Sequence, residues 1–394
     1  MATSDLCEIL KKHAASSAGG SPSGYSSSYQ QQQQSVIDAS TERRICTAVL
    51  KLLDDDSNDV QAIAVKTLGV LLTTVHEEQV IEIADRLCTL VLDNSKSELR
   101  DVYTIGLRTL VKTVPLQMGD LVSHRLVGRL IDGIRQNSTV PGSSSAGEKS
   151  AEEISLACLD VMTDLLTRFG SASPSITRQH EQILSITLSQ LASDRHVVRK
   201  RAGTTIGSLA TVISDALLVR LVESLLSQIE LAEGIGKSGK RKTRAARKKE
   251  STANADLKVA DTRSLIRTMC TVSGAVGHRL GQEQIDRIIP IFLRFCEPDD
   301  AVTGDDVDDE DEDMEDADDE EEDEAAISLA NELRESCFAG FESFILRCSK
   351  EVEPHLKQII HSALAYMRYD PNYSYGDEDD EEEGDDGSVE EEEE

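Results

Sequence analysis

Apolar residues recur along this chain with a helical period. Val60, Ala64, Leu68 and Leu71 fall at i, i+4, i+8 and i+11, one stripe of a 3.6-residue helix. Val80, Ala84, Leu87 and Val91 repeat that spacing on the next segment. Six stretches share one form, a short polar or acidic turn followed by a helix with small residues on its inner seam. They are Asp59–Leu72, Glu98–Val111, Ile154–Leu166, Val197–Ala210, Asp261–Gly274 and Glu332–Ile345. Ahead of each lies another amphipathic segment: Arg43–Leu53, Glu78–Leu92, Leu121–Arg135, His180–Leu191, Ala216–Leu231 and Glu283–Phe295. A last segment, Pro354–Met367, follows the sixth copy. Pro290 lies inside one segment and predicts a bend or restart there, whereas Pro354 suits a first helical turn.

Successive copies are roughly 40 residues apart where nothing intervenes, the spacing of HEAT and armadillo units. One helical hairpin cannot bury its own stripe, so neighbours must stack to make a core. Ala64, Gly106, Ala202 and Gly207 are small enough for close helix approach. The fold class is therefore all-α, a HEAT-repeat α-solenoid of about six to seven helical hairpins with disordered insertions and an acidic C-terminal tail. The expected order is a partial first repeat at 1–15, a disordered Ser/Gln insert at 16–35 and repeats at 36–136. A disordered linker at 137–150, repeats at 151–233, a basic loop at 234–255 and a repeat at 256–298 follow. An acidic disordered insert at 299–324, a last repeat at 325–369 and an acidic disordered tail at 370–394 complete it.

Charge sharpens those boundaries. The formal net charge is −32, yet 299–324 holds 19 acids without a Lys or Arg, and 370–394 holds 15 more. Without them the body carries about +2, so the acidity describes two solvated runs and not the fold. Trp is absent and aromatics make up 3%, a poor basis for a sandwich or barrel. The eight cysteines are scattered without CxxC spacing and read as reduced core thiols. The apolar runs are too short and interrupted to span a bilayer, so no membrane partner is expected.

Candidate chemistry is sparse. The histidines are dispersed, and "GIGKSGK" lacks the preceding strand and following hydroxyl of a phosphate-binding loop. Carboxylates cluster only in flexible runs that cannot hold an acid/base geometry. The chain is read as a non-enzyme with no cofactor and no metal. A basic run, Lys237, Lys240, Arg241, Lys242, Arg244, Arg247, Lys248 and Lys249, fits a nuclear-import signal recognised by importin. The alternative is a solvated loop pairing with the acidic runs. Nucleic-acid binding is disfavoured, because no aromatics interleave and the chain is acidic overall. Repeat geometry makes polar residues of the second helices the candidate partner-binding set: Arg100, Arg108, Arg199, Lys200, Arg201, His278 and Arg279. In "VVRKRAG" the alternative is an arginine bracing the neighbouring unit.

Several stretches together resemble one family. "LKLLDDDSNDVQAIAVKTLG", "LCTLVLDNSKSELRDVYTIGLRTLV", "VVRKRAG", "GAVGHRLG", "IIPIFLRFCEPDD", "FESFILRCSKEVEPH" and "YDPNYSYGDEDDEEE" are similar, in order, to the cullin-associated, neddylation-dissociated (Cand) proteins. The resemblance implies a non-catalytic HEAT scaffold that wraps a cullin and its RING-box subunit. Such a scaffold hinders attachment of the cullin's ubiquitin-like modifier and supports exchange of substrate receptors in ubiquitin ligases. It also implies that the acidic stretch after "YDPNYSY" is an internal loop in full-length members. This chain is then expected to be an N-terminal portion of the split fungal type, acting with a separate C-terminal Cand chain. "MATSDLCEIL" resembles the second helix of the family's first repeat, without the first. The expected localisation is nucleus and cytoplasm. The competing readings are an importin-type transport receptor and an acidic histone chaperone.

Overall fold

The computed structural model of the chain describes residues 5, 8–12, 38–138, 145–237, 252–296 and 317–368; side chains are described for most of these. All regular elements among them are helical. The main helices are α1 (Ala39–Leu52), α2 (Asn58–Leu71), α3 (Glu77–Leu92), α4 (Arg100–Thr113), α5 (Gly119–Gln136) and α6 (Ser145–Phe169). Then come α7 (His180–Gln190), α8 (His196–Ala210), α9 (Asp215–Lys237), α10 (Thr252–Val276), α11 (Gln282–Cys296), α12 (Ala317–Arg347) and α13 (Leu356–Arg368). No described helix is long and apolar enough to cross a membrane.

Each odd-numbered helix up to α11 packs on the even-numbered one that follows it. The even helices also pack in sequence order, α2 on α4, α4 on α6, α6 on α8, α8 on α10 and α10 on α12. This is the stacked-hairpin solenoid that the period predicts, and one apolar cluster runs through it from Leu10 to Ile359. The stripe residues Ala64, Leu68, Leu71, Val80, Ala84, Leu87 and Val91 are all buried.

The ends of the hairpins carry a second regularity. Where a first helix turns into a second, free carbonyls need donors. A buried polar side chain on the second helix supplies them. Gln61 Nε2 donates to Asp55 O at 2.7 Å, Ser155 Oγ to Asn137 O at 3.2 Å and Arg199 Nη1 to Ser193 O at 2.6 Å. At the other end, an arginine reaches back one hairpin to the C-terminal carbonyls of the preceding second helix. Arg168 bonds Val111 O and Val114 O at 2.8 and 2.6 Å, and Arg279 bonds Ala210 O and Ile213 O at 2.9 and 2.6 Å. Arg347 makes longer bonds to Gly274 O and Ala275 O. A cation there also complements the negative end of the helix dipole.

Close approach is required most plainly between α8 and α10. A Cβ on Gly207 would stand 2.6 Å from Thr271 Cγ2, and one on Gly203 would stand 2.7 Å from Thr268 Oγ1. Gly106, by contrast, faces Leu87 and Leu68 at ordinary contact distance.

Several expected boundaries shift. The expected linker at 137–150 overlaps α6, whose first turns include Ser145–Ser150. Ser150 Oγ accepts from Arg100 Nη2 at 3.1 Å and donates to Asn94 Oδ1 at 2.9 Å, which ties that turn to the neighbouring hairpin. Residues 234–237 and 252–255 of the basic loop belong to α9 and α10. Residues 317–324 of the acidic insert open α12. Acids in the first turns of a helix favour its positive end, which accounts for helix where solvation alone suggested coil. The Ser/Gln insert at 16–35, most of 1–15, 297–316 and the tail at 370–394 lie outside the described residues. Helix α11 runs through Pro290 without restarting. That residue is exposed, while Ile288, Ile289, Ile291 and Phe292 around it are buried and hold the helix on α12. Pro354 sits in a first turn, as expected.

Replacing Gly207 with Val should destabilise the chain by about 1–3 kcal/mol, because β-branched atoms would be forced onto the stiff Thr271 side chain. A lowered urea midpoint at unchanged helical content is the expected readout. His180 opens α7, is buried, and its Nε2 lacks a hydrogen-bond partner among the described residues. Burial pushes its pKa below 6.5, so the unfolded chain binds the proton more readily. Its contribution to stability is present above pH about 6.5 and is lost as pH falls through the lower folded value. Denaturation midpoints between pH 7.5 and 5 should therefore fall less steeply in His180→Phe than in the unaltered chain.

Candidate functional site

The outward edge of the even helices forms a polar strip. Helix α6 places Asp160 and Asp164 one turn apart, and both accept cations from the neighbours on either side. Arg108 of α4 meets Asp164 at 2.7 Å through Nε and Asp160 at 3.5 Å through Nη1. Lys112 reaches Asp164 at 3.6 Å, and Arg201 of α8 reaches Asp160 at 3.3 Å. Arg195 pairs with Glu152 at 3.4 Å, and Arg267 of α10 with Glu332 of α12 at 2.8 Å. The bond to Asp164 outweighs desolvation and raises the Arg108 pKa beyond its usual range.

Beside this ladder α8, α10 and α12 enclose a groove of about 430 Å³. Helix α10 contributes Ser264, Thr268, Cys270 and Thr271 together with Arg267. His196, Lys200 and Arg267 bring positive or proton-binding groups to the groove, and Glu332 and Glu335 bring negative ones. Burial, with Arg199, Arg267 and Lys200 nearby, lowers the His196 pKa despite Glu332. Its imidazole is thus neutral near pH 7. No cluster of three or more His, Cys, Asp or Glu among the described residues is arranged to hold a metal ion. A shallow strip of paired charges beside a mixed-polarity groove suits recognition of another macromolecule's surface.

The expected partner-binding residues divide into groups. Arg108 and Arg201 come together at Asp160 on the polar strip and Lys200 lines the groove beside it, with Lys200 and Arg201 exposed. Arg100 and Arg199 do not join them, and that expectation is corrected. Arg100 is 2% exposed and Arg199 4%. Arg100 points inward to Val91 O at 3.3 Å, Asp93 O at 3.4 Å and Asn94 Oδ1 at 3.3 Å, and it pairs with Glu153. Arg199 bonds Ser193 O, Asp194 O and Ser264 Oγ, the last on α10. Each locks its own hairpin turn to the next second helix, the bracing role left open by the sequence.

Arg279 is likewise committed to α8 carbonyls and to Asp215, and exposed His278 lies beside it at the far end of α10. Lys237 is the last residue of α9, and Lys240, Arg241, Lys242, Arg244, Arg247, Lys248 and Lys249 lie outside the described residues. Sequence reasoning missed Asp160 and Asp164. Their i, i+4 spacing in a second-helix segment was the available signal.

Arg100→Ala should cost about 3 kcal/mol, because it strips donors from buried carbonyls and leaves Glu153 without its partner. Lys200→Glu should move the urea midpoint by less than about 0.5 kcal/mol equivalent. Parallel denaturation curves of the two variants distinguish a structural lock from a surface group.

No protein-family model matches the chain. Cullin-associated NEDD8-dissociated protein 2 of Mus musculus is 30% identical over 384 residues, covering 96% of this chain and 24% of the relative. Cullin-associated NEDD8-dissociated protein 1 of Drosophila melanogaster is 29% identical over 347 residues, covering 87% and 22%. The N-terminal part of Cullin-associated NEDD8-dissociated protein 1 of Emericella nidulans is 27% identical over 208 residues, 48% of this chain and 60% of that protein. A crystal structure of importin beta overlaps 86% of the chain at a TM-score of 0.39 and 14% identity, too loose a fit to bear on function. The chain spans about a quarter of the length of the mouse and fly relatives. Likeness carried along nearly the whole chain makes this protein a homologue of the cullin-associated NEDD8-dissociated proteins, matched over that quarter of their length.

Proposed function

We propose that this chain is a non-catalytic scaffold that binds a cullin with its RING-box subunit. The observation that carries the reading is homology over 96% of the chain to a protein named for cullin association. The strip across α4, α6 and α8 is the surface proposed to meet the partner. Its cations are already oriented by Asp160 and Asp164, so ordering them on binding costs little. Because every hairpin is braced to the next, modest contacts along several repeats would add as a rigid whole. Occupying the cullin surface would hinder attachment of its ubiquitin-like modifier. A separate chain with the remaining repeats would couple that grip to exchange of substrate receptors. The Emericella nidulans relative, named as an N-terminal part, supports a partnership of separate chains. The basic run at 237–249 is proposed to carry the chain into the nucleus from the cytoplasm.

The test is retention of a purified cullin–RING pair on the immobilised chain, with and without a C-terminal Cand chain. Unmodified cullin should be retained and the modified form should not. Lys200→Glu with Arg201→Glu should weaken retention at least about tenfold by reversing two exposed charges, with little change in the urea midpoint. Failure to retain unmodified cullin, even with the second chain supplied, would overturn the reading.

A further inference from the structure

The seven described cysteines are free and buried, but they are not equivalent. Cys270 of α10 lines the groove between α8 and α12 and keeps 6% of its surface exposed there. Its Sγ lies 3.9 Å from that of Cys337 on α12, which is fully buried. Cys88 and Cys158 also lie near one another, yet both are fully buried, and Cys158 is held protonated by burial first and by Cys88 second.

We propose that Cys270 is a site of oxidative modification by small hydroperoxides, and that Cys337 resolves it into a disulfide joining α10 to α12. The groove admits the oxidant to Cys270 alone of the pair. In the first step the Cys270 sulfur attacks hydrogen peroxide. An S–O bond forms, the O–O bond breaks, and the departing oxygen takes the thiol proton as water. In the second step Cys337 sulfur attacks Cys270 sulfur, the S–O bond breaks, and the hydroxyl leaves with the Cys337 proton as a second water. Two thiols and one peroxide give one disulfide and two waters. Bringing the sulfurs from 3.9 Å to a bond of about 2.05 Å needs roughly an ångström of movement at each.

The Cys337 thiol is pushed up in pKa, its bond with Cys270 being the largest cause, so it is a poor first target. It needs only the sulfenic sulfur already beside it. Cys296 of α11 is the competing resolver, since Cys337 is the first cause that raises its pKa. The staple would pin the last two hairpins together under the groove and close a loop that includes 297–316. This inference does not depend on the cullin-binding reading.

The full chain, treated with graded hydrogen peroxide, alkylated and digested, provides the test. The expected product is a Cys270–Cys337 cross-linked peptide, two hydrogens lighter than its reduced parts and reversed by dithiothreitol. Cys337→Ala should accumulate a sulfenic acid at Cys270 that dimedone traps, and Cys296→Ala should still form the staple. If alanine variants fail to fold, alkylation rates on the unaltered native chain decide the matter. Cys270 should then react at least about tenfold faster than Cys88 and Cys158, which need local unfolding. A Cys296–Cys337 bond, a cross-link between chains, or equal rates at Cys270, Cys88 and Cys158 would overturn the proposal.

Discussion

Backbone carbonyls at the ends of stacked helices must find donors in a place that excludes water, and this constraint shapes the molecule. A solenoid has many such ends, two per hairpin, and each is pressed against the next unit. Leaving one unsatisfied costs about as much as a single repeat interface can spare. The chain answers with Gln61, Arg100, Ser155 and Arg199 at hairpin turns, and with Arg168, Arg279 and Arg347 at the trailing ends. The five arginines reach into an adjacent hairpin, so satisfying the backbone also fixes how those hairpins sit on one another. The apolar seam supplies the driving force, and the polar braces supply the register.

That division of labour decides what is left for a partner. Arginines nearest the helix starts are drawn inward, and those one or two positions later are left outside. In the run Arg199, Lys200, Arg201 the first is a lock and the other two are surface, because successive residues on a helix turn by about 100°. Arg201 is then held by Asp160, while Lys200 lines the groove. The face left for a partner is accordingly stiff and patterned, with the groove between α8, α10 and α12 beside it. The same groove brings solvent to Cys270, so a feature suited to recognition also admits small reagents to the core.

The apolar seam does not close at α13. Leu356, Ile360, Leu364 and Met367 form a stripe along that helix, and Met367 is 80% exposed. The stripe has the spacing of the buried ones earlier in the chain, and α13 has no second helix among the described residues.

Much of this was legible in sequence. Period and polarity located each helix to within a few residues where its ends were capped or bounded by turns. Family resemblance rested on motifs such as the run from Tyr369 to the acidic tail. The less accurate boundaries were those of α6, α10 and α12, where low apolar content hid helical turns that dipole, propensity and neighbouring bonds stabilise. What sequence alone determined is the set of helices and the stripe each must bury, because both follow from local periodicity. Only the tertiary structure decided whether Arg100 and Arg199 were partners or locks, and which acids met Arg108 and Arg201. It also decided that Cys270 and Cys337, 67 positions apart, would touch. Those outcomes depend on the rotation of one helix against another, which is set by packing and not by spacing along the chain.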